Sequence, residues 1–237
     1  MATEEDIMDQ IEGLLKYKND LKDLVVIITS GGTRENIDNV RYITNRSSGK
    51  MGRAIALEAY FRGAKKIYYI TTVKGESIPS GISKIEVGSA EDMLDAVLGH
   101  YEESDIVVMA AAVSDIRPSQ RYDFKLRKKD EILSKLNFKL NVNILESLTN
   151  KKGNQFLVAF AAEDGIDLKK ISDKFDNKKT DIIVANDITK KDIAFDSEFN
   201  EVILISEGKI LKKIKKDKKR IIARKLFDEI IKITRQK

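Results

Sequence analysis

Apolar positions along this 237-residue chain fall into two periods. One is a mostly apolar run without alternation, as in residues 24–29 (Leu-Val-Val-Ile-Ile-Thr), 66–72, 106–113, 156–162 and 181–185. Runs of that length without alternation predict strands buried on both faces. The other period is three to four residues, as in Met51, Ile55 and Ala59, in Met93, Leu94, Val97 and Leu98, and in Ile222, Leu226, Phe227, Ile230 and Ile231. That spacing puts one apolar stripe on a helix. It predicts helices over 50–61, from Ser89 onward and over 221–233, with two more over 143–149 and 167–178. Short strands are expected at 84–87 and 138–140, and a hairpin over 195–206 and 209–214 turning at Glu207-Gly208. Strands that alternate with helices predict a doubly wound, mostly parallel sheet with helices on both faces. The hairpin is then a C-terminal extension of that sheet.

Ahead of the first strand, Thr3 with Glu4, Glu5 and Asp6 reads as a helix start. Ile7, Met8, Ile11, Leu14 and Leu15 form its apolar stripe, and the polar stretch 16–22 ends it. Residues 1–22 are therefore expected to form a connector helix, and residues 23–237 a single domain.

Two connections are too long for an ordinary α/β loop, which takes about 2–6 residues. The first joins the opening strand to helix 50–61 and ends in Ser47-Ser48-Gly49-Lys50. Small residues and a lysine at a helix start, where backbone N–H groups are free, favour an anion. The second, residues 114–137, is basic and polar, and contains Arg117-Pro118. It follows Ala110-Ala111-Ala112, a strand end small enough for a ligand to lie against the backbone.

Composition narrows the chemistry. There is no cysteine, so thiolate catalysis, disulfides and cysteine metal sites are excluded. A single histidine, His100, disfavours a histidine triad or a His-rich metal site; its place in a helical pattern predicts the surface. No apolar run approaches the roughly 20 residues of a membrane span. The net charge of +5 suits phosphate-bearing ligands as well as nucleic acid. The run Lys212-Lys213-Ile214-Lys215-Lys216-Asp217-Lys218-Lys219-Arg220 is either an RNA contact or, the preferred alternative, a solvated turn leading into the last helix. An NAD(P)-dependent reductase would need G-x-G-x-x-G after the first strand, yet no two glycines are two positions apart. No tyrosine is followed by a lysine four residues on, and no G-x-x-x-x-G-K occurs. A basic RNA-binding module remains the other rival, and it would show steeply salt-dependent binding without turnover.

The run from Gly31-Gly32-Thr33-Arg34-Glu35 through Asn45-Arg46-Ser47-Ser48-Gly49-Lys50-Met51-Gly52 resembles the signature of the phosphopantothenate–cysteine ligases of coenzyme A biosynthesis. Further blocks follow in the same order. Ala111-Ala112-Val113-Ser114-Asp115 resembles Ala-Ala-Val-x-Asp, and Lys125-Leu126-Arg127-Lys128 resembles Lys-Ile-Lys-Lys. Ala159-Phe160-Ala161-Ala162-Glu163 resembles Gly-Phe-Ala-Ala-Glu, and residues 181–187 resemble Asp-x-Ile-x-Ala-Asn-Asp. The likeness runs from Leu24 to the end. It implies a Rossmann-like α/β fold, a cytoplasmic enzyme, and often fusion behind a flavin-dependent decarboxylase, with residues 1–22 as the joint.

The resemblance also implies a reaction. The carboxylate of 4′-phosphopantothenate attacks the α-phosphorus of CTP (ATP in eukaryotic members) and releases pyrophosphate. The amine of cysteine then displaces the nucleoside monophosphate. Mg²⁺ accompanies the triphosphate, with no protein ligand assigned. By carry-over, Asn45 contacts the acyl nucleotidylate, and Lys125 serves both steps from a mobile loop. Nucleotide contacts fall to Met109, Ala110, Ala111, Asp115, Phe160, Lys174 and Lys178. Without the resemblance, Asn45 reads as a turn residue, Asp115 as a helix cap, Phe160 as core, and the lysine pair as a solvated helix face. Arg41, with Ser47, Ser48 and Gly49, is assigned to the substrate phosphate, in a site completed by the second subunit of a homodimer. One block departs from the family pattern: Asn/Thr-Pro-Asp-Ile is replaced by Asn141-Val142-Asn143-Ile144-Leu145. Val142, Asn143, Ile144 and Leu145 lie by the base in relatives, so the choice of CTP over ATP is the least constrained inference.

Overall fold

Strand β1 (Val25–Ser30) is buried at every residue. Its side chains alternate between two cores: Val26 and Ile28 join one apolar cluster, Val25 and Ile27 the other. A strand that feeds two cores must be covered on both faces, and this one is the axis of the sheet. The computed structural model describes residues 19–128, 130–169, 179–189 and 196–235, together with positions 7, 8, 11, 15 and 171. Of the expected connector helix, Ile7, Met8, Ile11 and Leu15 are described; they are helical and exposed.

Beside β1 lie β4 (Lys66–Thr71) and β5 (Ser83–Glu86) on one side. On the other lie β6 (Ile106–Met109), β9 (Phe156–Glu163), β10 (Ile182–Asp187), β11 (Phe199–Ser206) and β12 (Lys209–Lys218). Strands β5, β4, β1, β6, β9 and β10 run parallel, and β11 and β12 are antiparallel additions. The expected doubly wound, mostly parallel Rossmann-like sheet with a C-terminal hairpin is thus what the chain forms. Strand order reverses between β1 and β6, and that switch point is where such sheets open a crevice at their carboxyl ends.

Helices α1 (Lys50–Phe61) and α4 (Lys219–Thr234) cover one face, and α2 (Ala90–Tyr101) and α3 (Ile144–Asn150) the other. Truncating a fully buried side chain such as Ile55 of α1 to alanine would cost about 2–5 kcal/mol. Arg62, after α1, is 1% exposed and bridges three segments: it pairs with Asp20, Glu58 and Asp228 at 2.9, 2.9 and 2.5 Å. Leu21 is fully buried, so the packed domain takes in the last residues of the predicted connector.

Three features depart from expectation. The long first connection contains a hairpin, β2 (Arg34–Asn36) with β3 (Tyr42–Thr44), whose turn is held by Asp38. Residues 114–137 hold β7 (Ile116–Pro118), which pairs with β8 (Phe138–Leu140), and a 3₁₀ turn at Glu131–Lys135. The lysine run is not a turn: it forms most of edge strand β12 and then opens α4. Lysines along an exposed sheet edge oppose pairing with another chain, which accounts for that composition without nucleic acid.

Candidate active site

A cleft of about 840 Å³ opens at the switch point. Its first wall is the loop 45–51 at the start of α1. Gly49 is the N-cap, in the left-handed region at φ +76°, and no side chain caps the helix. A Cβ there would also fall 2.7 Å from Val73 Cγ2. Gly52 lets α1 lie against β1, since a Cβ would sit 2.6 Å from Ser30 Cβ and 2.9 Å from the Thr29 carbonyl. Ser30 Oγ donates to the Gly49 carbonyl at 2.9 Å and lies 3.0 Å from the Tyr69 hydroxyl, itself 2.7 Å from Glu76. Burial, aided by the Glu76 carboxylate, pushes the Tyr69 phenol above its ordinary range. A neutral phenol therefore props the loop from behind.

The second wall follows β6. The strand predicted to reach Val113 ends at Met109, because two threonines of the β1 segment redirect it. Thr29 Oγ1 accepts the Ala111 N–H at 3.1 Å, and Thr33 Oγ1 accepts that of Ser114 at 3.0 Å. The Ala112 N–H donates to the Gly31 carbonyl at 2.8 Å. Met109, Ala110 and Ala111 then line the cleft, as does Asp115, which is exposed. Asn45 spans the two walls, its amide N–H donating to the Val113 carbonyl at 2.8 Å. An Asn amide has two donors and an acceptor, so this tie leaves it able to meet a ligand.

The far wall is the start of α3 and the ends of β9 and β10: Val142, Asn143, Ile144, Leu145, Phe160, Asn186 and Asp187 all line the cleft. Asn143 caps α3, accepting the Glu146 N–H at 3.1 Å. Asn143 thus caps the helix without bringing a charge to the cleft.

The cleft therefore gathers Asn45, Ser47, Ser48, Gly49, Met109, Ala110, Ala111, Asp115, Val142, Asn143, Ile144, Leu145 and Phe160. Lys125 and Arg41 are not among its lining residues. Lys125 is exposed, one residue before the fully buried Leu126. Arg41 donates to Asp38 at 2.7 Å and to the Leu126 carbonyl at 3.2 Å. Three backbone N–H groups and Arg41 hold the Asp38 carboxyl below its usual range against its burial. Lys174 and Lys178 lie outside the described residues. His100 sits on α2, stacked on Tyr68 with 3.7 Å between ring centres, away from the cleft. Lys50, read as part of the anion-favouring helix start, lines the cleft, and so do two residues that sequence reasoning missed, Asn200 and Lys219. The last two come from the C-terminal extension, where the only signal was a lysine run.

A crevice across the carboxyl ends of a doubly wound sheet, walled by an uncapped helix start, defines a Rossmann-like α/β protein built around a small-molecule cleft. The chain belongs to the DNA/pantothenate metabolism flavoprotein C-terminal domain family, whose model matches residues 21–234. It is 38% identical over 216 residues to the Coenzyme A biosynthesis bifunctional protein CoaBC of Thermococcus kodakarensis, covering 88% of this chain and 51% of that protein. It is 42% identical over 180 residues to the CoaBC of Bacillus subtilis, covering 76% and 44%. The chain thus spans about half the length of the curated relatives it matches. Among solved structures, the crystal structure of the C-terminal domain of a CoaBC superposes with a TM-score of 0.77 at 32% identity, covering 92% of this chain and all of that one. A Cab2 mutant in complex with phosphopantothenate-cysteine shares the fold at a TM-score of 0.60 and 19% identity.

Proposed function

We propose that this chain is a ligase of coenzyme A biosynthesis that joins 4′-phosphopantothenate to cysteine at the expense of a nucleoside triphosphate, with CTP as the preferred one. What carries the proposal is that Asn45, the Ser47–Gly49 loop, Asp115 and Phe160, distant in sequence, line one cleft in a chain 38–42% identical to CoaBC proteins. No protein nucleophile is required, which suits a chain without cysteine and with one histidine. The protein's task is to align two substrates and to stabilise charge on phosphorus.

In this mechanism the backbone of Met109, Ala110 and Ala111 and the carboxylate of Asp115 hold the nucleoside, with Phe160 and residues 142–145 near the base. The start of α1, with Ser47, Ser48 and Gly49, receives phosphate oxygens. The pantothenate carboxylate attacks the α-phosphorus, and pyrophosphate leaves. Asn45 donates to the acyl nucleotidylate while the cysteine amine attacks its carbonyl, and the nucleoside monophosphate departs. Lys174 and Lys178 are further candidates for the triphosphate. Among the described residues no group of three or more His, Cys, Asp or Glu could hold a metal ion. A Mg²⁺ ion is expected to accompany the triphosphate, held mostly by phosphate oxygens and water, with no protein ligand assigned.

We further propose a homodimer. Val40, Tyr42, Ile116, Phe124, Phe138 and Leu140 leave apolar side chains exposed on the two small hairpins and the loop beside them, Leu140 at 81%. Exposed apolar groups gathered in this way favour a partner. Arg41 and Lys125 belong to the same region and would reach a cleft through the partner or by loop closure. The remaining half of the relatives' length is the place for a flavin-dependent decarboxylase, fused or separate. Among the described residues no helix is long and apolar enough to cross a membrane, and we expect the enzyme in the cytoplasm.

The test is product formation from 4′-phosphopantothenate, cysteine and Mg²⁺ with CTP, ATP, GTP and UTP in parallel. Phosphopantothenoylcysteine and CMP are expected. Absence of pyrophosphate release with every nucleotide would reject the ligase assignment.

A further inference from the structure

Near its start, strand β11 carries a residue unlike its neighbours. Phe199 is exposed, and Val202 and Leu204 belong to the apolar cluster beneath α1 and α4. Asn200 is polar yet only 8% exposed, and it lines the cleft. The pairing of β11 with β12 shifts register between Asn200 and Val202. Irregularities of that kind re-aim side chains beside functional sites.

The two ends of the Asn200 amide are told apart by what surrounds them. Oδ1 accepts the Glu201 N–H at 2.8 Å. A backbone N–H can only donate, so it fixes the oxygen there and turns Nδ2 the other way. Nδ2 donates to no group among the described residues, yet it is not one of the partnerless side-chain atoms sealed from solvent. In a residue otherwise buried, its accessible side is the cleft. An unmatched buried donor costs about 1–3 kcal/mol, and native proteins seldom keep one without a use.

The charges nearby decide what that donor suits. Lys50 pairs with Glu198 at 2.5 Å and donates to the Asp196 carbonyl at 2.8 Å. Burial and Lys50 lower the pKa of Lys219, and Glu198 and Asp196 oppose them. Asp187, also at the cleft, accepts the Thr189 N–H at 3.0 Å. Asn186, at the end of neighbouring β10, is a second neutral amide among the lining residues. Cations and carboxylates thus offset one another at this corner, and an uncharged oxygen fits it better than a further ion.

We infer that Asn200 is a specificity residue of this cleft, its Nδ2 donating to a carbonyl or hydroxyl oxygen on the uncharged chain of the acid substrate. The acid's identity as 4′-phosphopantothenate, whose chain carries a hydroxyl and an amide between phosphate and carboxylate, rests on the proposed ligase reaction. Position favours the acid over the nucleoside. Through Lys50 the stretch before β11 is tied to the start of α1, beside Ser47–Gly49. Met109, next to the residues proposed to hold the nucleoside, ends β6, three strands away from β11.

Calorimetric titration of wild type, Asn200→Ala and Asn200→Asp with 4′-phosphopantothenate, CTP and cytidine tests it. Asn200→Ala removes the donor without adding charge. Asn200→Asp keeps the acceptor for the Glu201 N–H and puts an oxygen where the donor was. Asn200→Ala should weaken the acid by about 3- to 10-fold, the worth of one hydrogen bond, and leave CTP and cytidine unchanged. Asn200→Asp should weaken the acid further, because its carboxylate repels an acceptor. Weaker CTP or cytidine with the acid unchanged would hand Asn200 to the nucleoside and overturn the inference. Equal weakening of all three ligands by Asn200→Ala would also overturn it, as a general disturbance of the cleft. So would unchanged affinities, with or without a fall in Tm, since Asn200 would then serve only the Glu201 N–H. Should neither variant fold, isotope-labelled wild type decides: the side-chain amide resonances of Asn200 should shift on adding 4′-phosphopantothenate, and no shift overturns the inference. If Asn200→Ala weakens the acid yet wild type forms no product with any nucleotide, the ligase assignment falls and the Asn200 contact stands. If wild type forms phosphopantothenoylcysteine and Asn200→Ala binds the acid equally well, only the contact falls.

Discussion

Helices α2 and α1 start in opposite ways. At α2, Ser89 Oγ accepts the Asp92 N–H at 3.1 Å while Asp92 accepts the Ser89 N–H at 2.8 Å, a complete capping box. Glu91 adds charge in the first turn, and buried Glu35 accepts the Ala90 N–H at 3.0 Å. The chain has closed that end with its own carboxylates. At α1 the cap is a left-handed glycine with no side-chain bond and no acid in the first turn. The closed end faces structure and the open end faces the cleft. The difference teaches that the cleft is lined by a helix start that no side chain caps, an arrangement that suits an anion.

The largest effect should come from chemistry at the open end. Asn45→Asp is expected to slow product formation by about 10²- to 10³-fold, the scale for losing one transition-state donor. Pyrophosphate release should persist while the acyl nucleotidylate accumulates, which single-turnover quench analysis would detect; an unchanged turnover rate would remove Asn45 from the reaction. Next is the shape of the open end. Gly49→Ala must adopt φ near +76° and crowd Val73, so a loss of about 1–2 kcal/mol is expected in urea unfolding, together with weaker triphosphate binding. Wild-type affinity in this variant would show that the cradle does not depend on the left-handed cap.

At the closed end, Ser89→Ala should cost about 1 kcal/mol of stability and leave turnover alone. A tenfold loss of turnover would erase the contrast between the two helix starts. The smallest effect is a pH signature. Backbone N–H groups of Ser89 and Gly88 hold the Asp92 carboxyl below its usual value. Its contribution is therefore present above the ordinary carboxylate range and lost as pH falls through the lowered value. The Tm gap between wild type and Asp92→Asn should be open at pH 7 and close as pH falls through that lowered value. A gap that stays constant with pH would mean the carboxylate charge contributes nothing there.

Much of this was legible in the linear pattern. The Ser89 cap, the helix start after Ser47-Ser48-Gly49 and the buried strand runs are local signals, set by residues within one turn or one strand of each other. The two small hairpins were not legible. Strands of three residues carry no period, and β2–β3 and β7–β8 are held by distant groups, such as Asp38 accepting the Leu126 N–H at 3.1 Å. The end of β6 was misjudged for the same reason: Ala110 to Val113 read as strand, but Thr29 claims the Ala111 N–H and Thr33 that of Ser114, each across more than eighty positions.

What the order of residues dictated, then, was the alternation of strand and helix, the loop suited to an anion, and the family signature, because each depends on neighbours along the chain. What only folding decided was company. Lys219 read as one lysine in a basic run, yet the β11–β12 hairpin turns α4 so that this residue alone among its neighbours in 215–221 is both buried and at the cleft. Arg41 read as a ligand residue, yet the fold gives it Asp38 and the Leu126 carbonyl as partners. Charge is written in the sequence, but burial and proximity set its energy, and those are properties of the packed molecule.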